Sequence, residues 1–234
     1  LYSMEEKLFN HVPDKWQLED IEARTTEEGR VYNSPVGNLP SVTTVTGWEK
    51  NQFFAQWRKD NPEESRRVLK RGNHLHSFIE DYLNNEIDPN EITWWDSMPG
   101  ILELFEQIQP ELDNIDNIHA LESPLWSEAM MLAGRVDCVA EYKGKLSIID
   151  FKGSTRPKKK KDIENYFLQA TAYAIAWQER TGIPIDNFVI MITTDDGITQ
   201  VFEGNPMNYV KMLFKTIEKY HESVSVLHVQ PNSG

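Results

Sequence analysis

The sequence predicts an α/β domain: a central mixed, mostly antiparallel sheet flanked by helices, with a helical N-terminal region ahead of it. Three observations carry that expectation. The apolar pattern keeps a helical period from Gln52 to about Asn85, then changes to strand-like alternation between Glu122 and Thr155. A second helical stripe, from Ile163 to Arg180, separates that stretch from two further strand-like runs. A last amphipathic segment opens at Pro206. Helices, then strands with one helix inserted, then a helix, is the order of one layered α/β unit.

Each element has a local reason. Residues 29–46 alternate β-branched residues with Gly, Asn and Pro breaks and read as a small hairpin followed by an extended segment. In the helical region Val68, Gly72, Leu75, Ile79 and Tyr82 fall on one face, and Asn61-Pro62-Glu63-Glu64 supplies a cap, a first-turn proline and acids facing the helix dipole. Residues 91–118 read as one or two further helices, broken at Met98-Pro99-Gly100 and at Gln109-Pro110. Val136, Cys138, Ala140 and Tyr142 then share one strand face, opposite Asp137, Val139 and Glu141. Lys143-Gly144-Lys145 turns the chain into Leu146–Lys152 as an antiparallel partner. Phe167, Ala170, Ala174 and Trp177 form the stripe of the inserted helix, which Gly182 ends. Asn187–Ile192 and Gly197–Phe202 are strands joined through Asp195-Asp196-Gly197, and Met212, Phe214 and Ile217 mark the last helix.

Composition excludes several classes. The 234 residues include one cysteine, Cys138, which leaves no disulfide framework, all-cysteine zinc site or cysteine-held iron–sulfur cluster. No run of about 18 apolar residues appears, so no membrane association is expected. No signal peptide is expected either, and Met4 reads as the natural start. The formal charge of −13 argues against a protein that simply coats nucleic acid. Its distribution is uneven, however. Phe78 to Glu141 holds 15 acidic residues and one basic, Arg135, whereas Lys152 to Lys161 holds six basic residues and no acid. A second basic stretch carries Arg58, Lys59, Arg66, Arg67, Lys70 and Arg71. An acidic body with short basic strips suits an enzyme that grips a polyanion at one place, although solvated faces carry such runs as well.

Asp150 and Lys152, two apart on a strand, leave the same face, and Asp137 sits on the partner strand. Two carboxylates beside one ammonium favour a divalent cation and can stabilise charge on a phosphate. On spacing alone, a surface ion pair between Asp150 and Lys152 is the simpler reading. His76 and Glu80 share a helix face, and an imidazole can complete a metal shell, shifting preference toward Mn²⁺ relative to Mg²⁺. Gln169 and Tyr173, again four apart, can hydrogen-bond a backbone phosphate or brace the lysine; routine helix surface is the alternative.

Gly134-Arg135-Val136-Asp137, Ile149-Asp150-Phe151-Lys152 and Gln169-Ala-Thr-Ala-Tyr173 together resemble the G-x-x-D, D-x-K and Q-x-x-x-Y motifs of the PD-(D/E)XK nuclease superfamily, in its RecB-type branch. Arg71 to Glu80 is similar to that branch's histidine motif. Leu39-Pro-Ser-Val-Thr43, Ala120-Leu-Glu-Ser123 and Asp137 to Leu146 resemble segments of the mitochondrial genome maintenance exonucleases and related bacteriophage exonucleases. The ordered set spans about residues 38 to 220 and is specific where each motif alone is weak.

The resemblance implies a restriction-endonuclease-like core and a metal-dependent exonuclease acting on single-stranded DNA from free ends. Asp137, Asp150, the Phe151 carbonyl and His76 would hold Mg²⁺ or Mn²⁺, and Lys152 would position the attacking water. Glu80 and Glu122 match acidic positions near such sites, and Gln169 and Tyr173 match the supporting pair. Close relatives carry Thr where this chain has Gly153, so one hydroxyl near the phosphate is lost, with Ser154 following. Arg156, Lys158, Lys159, Lys160 and Lys161 are placed to hold adjacent phosphates. Trp48, Phe53, Phe54, Trp57, Trp94 and Trp95 are candidates for stacking unpaired bases, and residues 50–118 for an arch that admits one strand. Residues 1–28 are expected to be an extension and 29–234 one nuclease domain, with a helical region at 50–118 and a catalytic core at 119–222. A monomer in a host cytoplasm is expected, as a bacteriophage protein, with the mitochondrial matrix as the alternative location and replication or recombination proteins as conceivable partners. A structure-specific or RNA-acting endonuclease, and a non-catalytic DNA-binding module of the same fold, stay open as alternatives.

Overall fold

The computed structural model of the chain describes residues 7–13, 16, 18–87 and 100–229. The expectations that fall on residues 91–99, Trp94 and Trp95 among them, lie outside the described residues. A small antiparallel sheet comes first, with β1 (Glu22–Thr26), β2 (Gly29–Ser34) and β3 (Gly37–Pro40) in that order. The hairpin read over residues 29–46 is β2–β3, and β1 adds a third strand from the stretch ahead of it. The segment expected to be extended is instead a short helix, α1 (Val42–Thr46). Ser41 Oγ accepts the Thr44 N–H at 3.0 Å, and Val42 and Val45 are buried in the main core, so capping and tertiary burial override β-branched preference.

The helical stretch from Gln52 is two helices, α2 (Trp48–Asp60) and α3 (Pro62–Leu83), broken at Asn61. The Asn61 amide donates to the Trp57 carbonyl at 2.9 Å, closing α2 instead of capping α3. Pro62 opens α3, with Glu63 and Glu64 in its first turn. Leu75, Phe78, Ile79 and Tyr82 are buried along α3, whereas Val68, expected on that face, is exposed. α4 (Ile101–Leu112) runs through Pro110, where a break is expected: buried Phe105, Ile108 and Leu112 outweigh the hydrogen bond the proline removes. The chain beyond it is not helix to residue 118 but strand β4 (Ile115–Ser127).

The main sheet is β4–β5–β6–β7–β8, with β5 (Leu132–Tyr142), β6 (Lys145–Ser154), β7 (Phe188–Thr194) and β8 (Thr199–Gly204). Neighbours are antiparallel except β6 and β7, which are parallel and connected through α5 (Glu164–Thr181). Lys143 and Gly144 both take positive φ, 49° and 79°, as a two-residue hairpin turn requires. Gly182 ends α5 in the left-handed region. In α6 (Val210–Val229) Leu213, Ile217 and Tyr220 face inward, while Met212 and Phe214 are exposed. Among the described residues no helix is long and apolar enough to cross a membrane.

The sheet lies between two helical layers. Val139, Ile148 and Ile190 pack with Phe167 and Trp177 of α5, and Cys138, Ile149 and Met191 pack with Phe78 and Phe105 of α3 and α4. Strict alternation fails at one point in β5. Val136 joins the α5-side core, although Cys138, Ala140 and Tyr142, expected beside it, face α3 and α4. The reversal falls at Asp137. Across from Asp137 on β4, between the pairs Leu121↔Cys138 and Ser123↔Val136, Glu122 has φ 44°. A single left-handed residue breaks the period of two and re-aims its neighbours.

One side chain locks the α4 layer to the sheet. Gln107 accepts from Thr193 Oγ1 (2.7 Å) and from the Thr194 N–H (3.0 Å), and donates to the Thr194 carbonyl (2.9 Å). Thr193 and Thr194 are buried, so removing these partners strands polar groups without water. Gln107→Ala is expected to cost about 2–4 kcal/mol of stability by denaturant titration. A loss below about 0.5 kcal/mol would mean the lock is not energetic.

Candidate active site

The candidate site sits where β5 and β6 part. Their register runs from Tyr142↔Lys145 to Cys138↔Ile149 and no further, while β6 continues beside β7 to Ser154↔Thr194. Beyond the last pair the Phe151 N–H is taken by Asp137 Oδ2 at 2.9 Å, so a carboxylate replaces a ladder carbonyl. This parting opens a space between strands at the sheet's end. α3 reaches it from one layer and α5 from the other.

From α3, His76 Nδ1 lies 3.8 Å from Asp137 Oδ2 and 4.0 Å from Glu122 Oε1. His76, Glu122 and Asp137 offer ligand atoms within 4.8 Å of one another, a set that can hold a metal ion. Burial pushes the imidazole pKa down, with Asp150 opposing, so the ring is held neutral as a ligand must be. It also hydrogen-bonds to the Phe151 backbone. From β6, Asp150 is buried, 2% exposed, and its Oδ2 lies 3.1 Å from Lys152 Nζ. That oxygen has no well-aligned hydrogen-bond donor. Lys152 donates to Gln169 Oε1 at 3.0 Å, and its ammonium lies 4.9 Å from the centre of the Tyr166 ring.

Electrostatics follow from that crowding. Burial raises Asp150 to about 7 and Asp137 to about 6; the Lys152 ammonium works against both shifts. Burial, with Glu80 nearby, raises Glu122 to about 7, and burial raises Glu80 as well. Burial disfavours the Lys152 charge, but Asp150 and Asp137 outweigh it and hold the amine above its ordinary value. The pocket thus carries more carboxylates than one ammonium can balance, and that surplus suits a hard divalent cation.

The structure brings together His76, Glu122, Asp137, Asp150, Phe151, Lys152 and Gln169. Glu122 stands with His76 and Asp137 in the set that can hold a metal ion, whereas Asp150 is turned to the lysine. Glu80 is outside that set and acts on it through its charge. Tyr173 packs on the backbone of β5: a Cβ at Gly134 would lie 2.8 Å from its hydroxyl, so only glycine fits there. Ser154 shares the Asp150–Lys152 face, but its hydroxyl donates to the Arg156 carbonyl at 2.7 Å and is turned into the loop. Arg156 and Lys158–Lys161 are exposed just beyond β6. At Gly153 an added Cβ would meet nothing within 4 Å, so packing does not demand the glycine. Two neighbours escape the sequence reading. Tyr166 is marked only by sharing a helix face with Gln169 and Tyr173. Arg135, whose guanidinium donates to the Glu122 carbonyl, has no signal beyond its place in the G-x-x-D motif.

Comparison with known proteins finds similarity to nucleases. The sequence model of the PD-(D/E)XK nuclease superfamily matches residues 50–203. Mitochondrial genome maintenance exonuclease 1 of Mus musculus is 31% identical over 134 residues, 52% of this chain and 38% of its own length. The Homo sapiens protein of that name is 29% identical over 179 residues, 68% of this chain and 50% of its own. The chain therefore spans half or less of these relatives. A solved structure of a candidate exonuclease from Eubacterium rectale superposes on 67% of this chain and 65% of its own, at 14% identity and a TM-score of 0.43.

The raised Glu122 pKa has a consequence for stability. An unfolded Glu122 loses its proton near 4.5, while the folded chain keeps it to about 7. Its contribution is therefore fully present below about pH 4.5 and is lost as pH rises through 7. Glu122→Gln is expected to raise the melting temperature of metal-free protein at pH 8 and to leave it unchanged at pH 4. An equal shift at both pH values would show that the carboxyl titrates normally.

Proposed function

The chain belongs to the PD-(D/E)XK nuclease superfamily, and from that premise we propose that it is a divalent-metal-dependent exonuclease that hydrolyses single-stranded DNA from free ends. The observation that carries the reading is the convergence of His76, Glu122 and Asp137 beside the Asp150–Lys152–Gln169 chain. His76, Glu122 and Asp137, with Asp150 and the Phe151 carbonyl adjoining, would hold the ion, and the imidazole favours Mn²⁺ over Mg²⁺ relative to an all-oxygen set. When bound, such a cation neutralises phosphoryl oxygens and supplies hydroxide near neutral pH.

The chain's own groups do the rest. Lys152 stays protonated, so it serves as a donor and not as a base. Gln169 and Asp150 fix its ammonium, leaving an N–H to orient the attacking water or to meet the negative charge growing on the phosphate. Arg156 and Lys158–Lys161 hold the neighbouring phosphates of the strand. Preference for a single strand is supported by α2, which buries none of its residues and exposes Phe53, Phe54 and Trp57 beside Arg58 and Lys59. Exposed rings next to cations suit unpaired bases and their backbone. The relatives' name, genome maintenance exonuclease, supports DNA and end-directed cutting.

Labelled linear and circular single-stranded DNA, incubated with Mn²⁺, Mg²⁺ or a chelator, test this directly. Metal-dependent loss of the linear strand alone is expected, with Lys152→Ala slower by about 10²–10³. Cutting of the circle would refute end-directed action, and cutting of RNA in preference to DNA would refute the substrate. Neutralising Lys158–Lys161 is expected to weaken binding and to flatten its salt dependence by about 0.7 in log–log slope for each phosphate no longer neutralised. An unchanged slope would remove the loop from the strand's path.

A further inference from the structure

The lysine segment after β6 is not a loose tail. Its main chain is held at both ends by side chains from distant elements. At Lys158, Gln200 of β8 accepts the main-chain N–H through Oε1 at 2.7 Å and donates through Nε2 to the carbonyl at 2.9 Å. This paired contact is what a neighbouring strand would offer, supplied here by one amide side chain. At the far end Lys50 of α2 donates to the Asp162 carbonyl and to Asn165 Oδ1, the latter at 3.0 Å. Between the anchors a short turn closes, with the Asp162 N–H on the Lys159 carbonyl at 2.9 Å. Upstream, Ser154 and Arg156 lock the start of the loop.

Four adjacent ammonium groups repel one another, and a free segment would spread them and lose entropy on gripping a polyanion. Burial and nearby Lys158 push the Lys50 pKa down, with Asp162 opposing, so cations are crowded at this rim. The Gln200 main chain pairs with Ile192 of β7, which fixes the amide's origin on the sheet that carries Lys152. We propose that Gln200 is a positioning residue for the substrate: its amide clamps Lys158 so that the lysine segment is pre-set beside Lys152 to receive the backbone of the strand. What the segment receives rests on the nuclease reading above; the clamp itself does not.

Two variants test it. Gln200→Met keeps the length and loses both hydrogen bonds. Gln200→Glu keeps the acceptor for the Lys158 N–H and loses the donor. Native protein is exposed briefly to trypsin, and nicking at Lys158–Lys161 reports loop order without reference to activity. Cleavage of a labelled single-stranded oligonucleotide then gives KM and kcat. For Gln200→Met, nicking is expected to rise about tenfold and KM about three- to tenfold with kcat unchanged, the order that removal of two hydrogen bonds allows. Gln200→Glu should fall between wild type and Gln200→Met. Unchanged nicking overturns the clamp. Faster nicking with unchanged KM overturns its role in holding substrate, and a fall in kcat alone places the effect on the chemistry instead. A wild-type chain that cuts no strand defeats the nuclease reading, and the proposal then stands or falls on nicking together with oligonucleotide binding.

Discussion

Three carboxylates and one ammonium share the end of an apolar sheet, and most of the molecule's less ordinary features answer to that arrangement. Asp150 is 2% exposed, and Asp137 and Glu122 are raised with it by burial. Isolated charges of this kind are costly to bury unless they are paired or coordinated. Lys152 offsets part of the cost, and the Phe151 N–H on Asp137 another part. The remainder is what makes the pocket receptive to a cation. A site fully balanced by its own side chains would be more stable and would have no use for one.

Bringing those groups together required breaking regular structure in two places. β5 and β6 stop pairing at Cys138↔Ile149, and Glu122 takes a left-handed backbone inside a strand. A non-glycine residue in that region costs of order 1–3 kcal/mol and persists only where its surroundings over-determine it. Here the surroundings are visible: β4–β5 pairs at Leu121↔Cys138 and Ser123↔Val136 on its two sides and the Arg135 guanidinium on the Glu122 carbonyl. The same locality explains Gly134. Tyr173 approaches the β5 backbone so closely that a methyl group would collide, which brings α5, with Gln169 and Tyr166, down onto Lys152.

Much of this was legible in the sequence, for physical reasons that can be named. The β5–β6 hairpin, the α5 stripe with Gly182 behind it and the pairing of Asp150 with Lys152 all follow from local period and turn chemistry. Where tertiary burial decides, local signals mislead. Val42-Thr-Thr-Val-Thr46 reads as strand by composition and folds as helix because Val42 and Val45 fit the core. Met212, Phe214 and Ile217 mark the last helix by pattern, yet Leu213 is the most deeply buried of its described residues. Pro110 reads as a break and sits inside α4. Glu122 was visible only through resemblance: one acid among 15 in the Phe78–Glu141 stretch carries no periodic mark. Its position depends on a backbone reversal that no pattern of side chains announces.

The charge distribution is explained by the same geometry. Beyond the Debye length of about 8–10 Å a net charge of −13 is largely screened, and within it an acidic surface repels a polyanion, so attraction has to be local. Basic residues are accordingly concentrated in two strips, the α2–α3 run from Arg58 to Arg71 and the segment from Lys152 to Lys161. The first lies on helices that expose aromatic rings, and the second continues directly from β6. α3 and β6, which carry or lead into the two strips, also bring His76 and Asp150 to the acidic pocket, where a strand's phosphate would be opposed by Asp137, Asp150 and Glu122 if nothing intervened. On the nuclease reading proposed above, His76, Glu122 and Asp137 of the floor would hold a divalent cation, which would offset the carboxylates facing a phosphodiester. Strand binding would then depend on occupancy of the pocket, because a cation held there would neutralise the carboxylates that otherwise repel the strand.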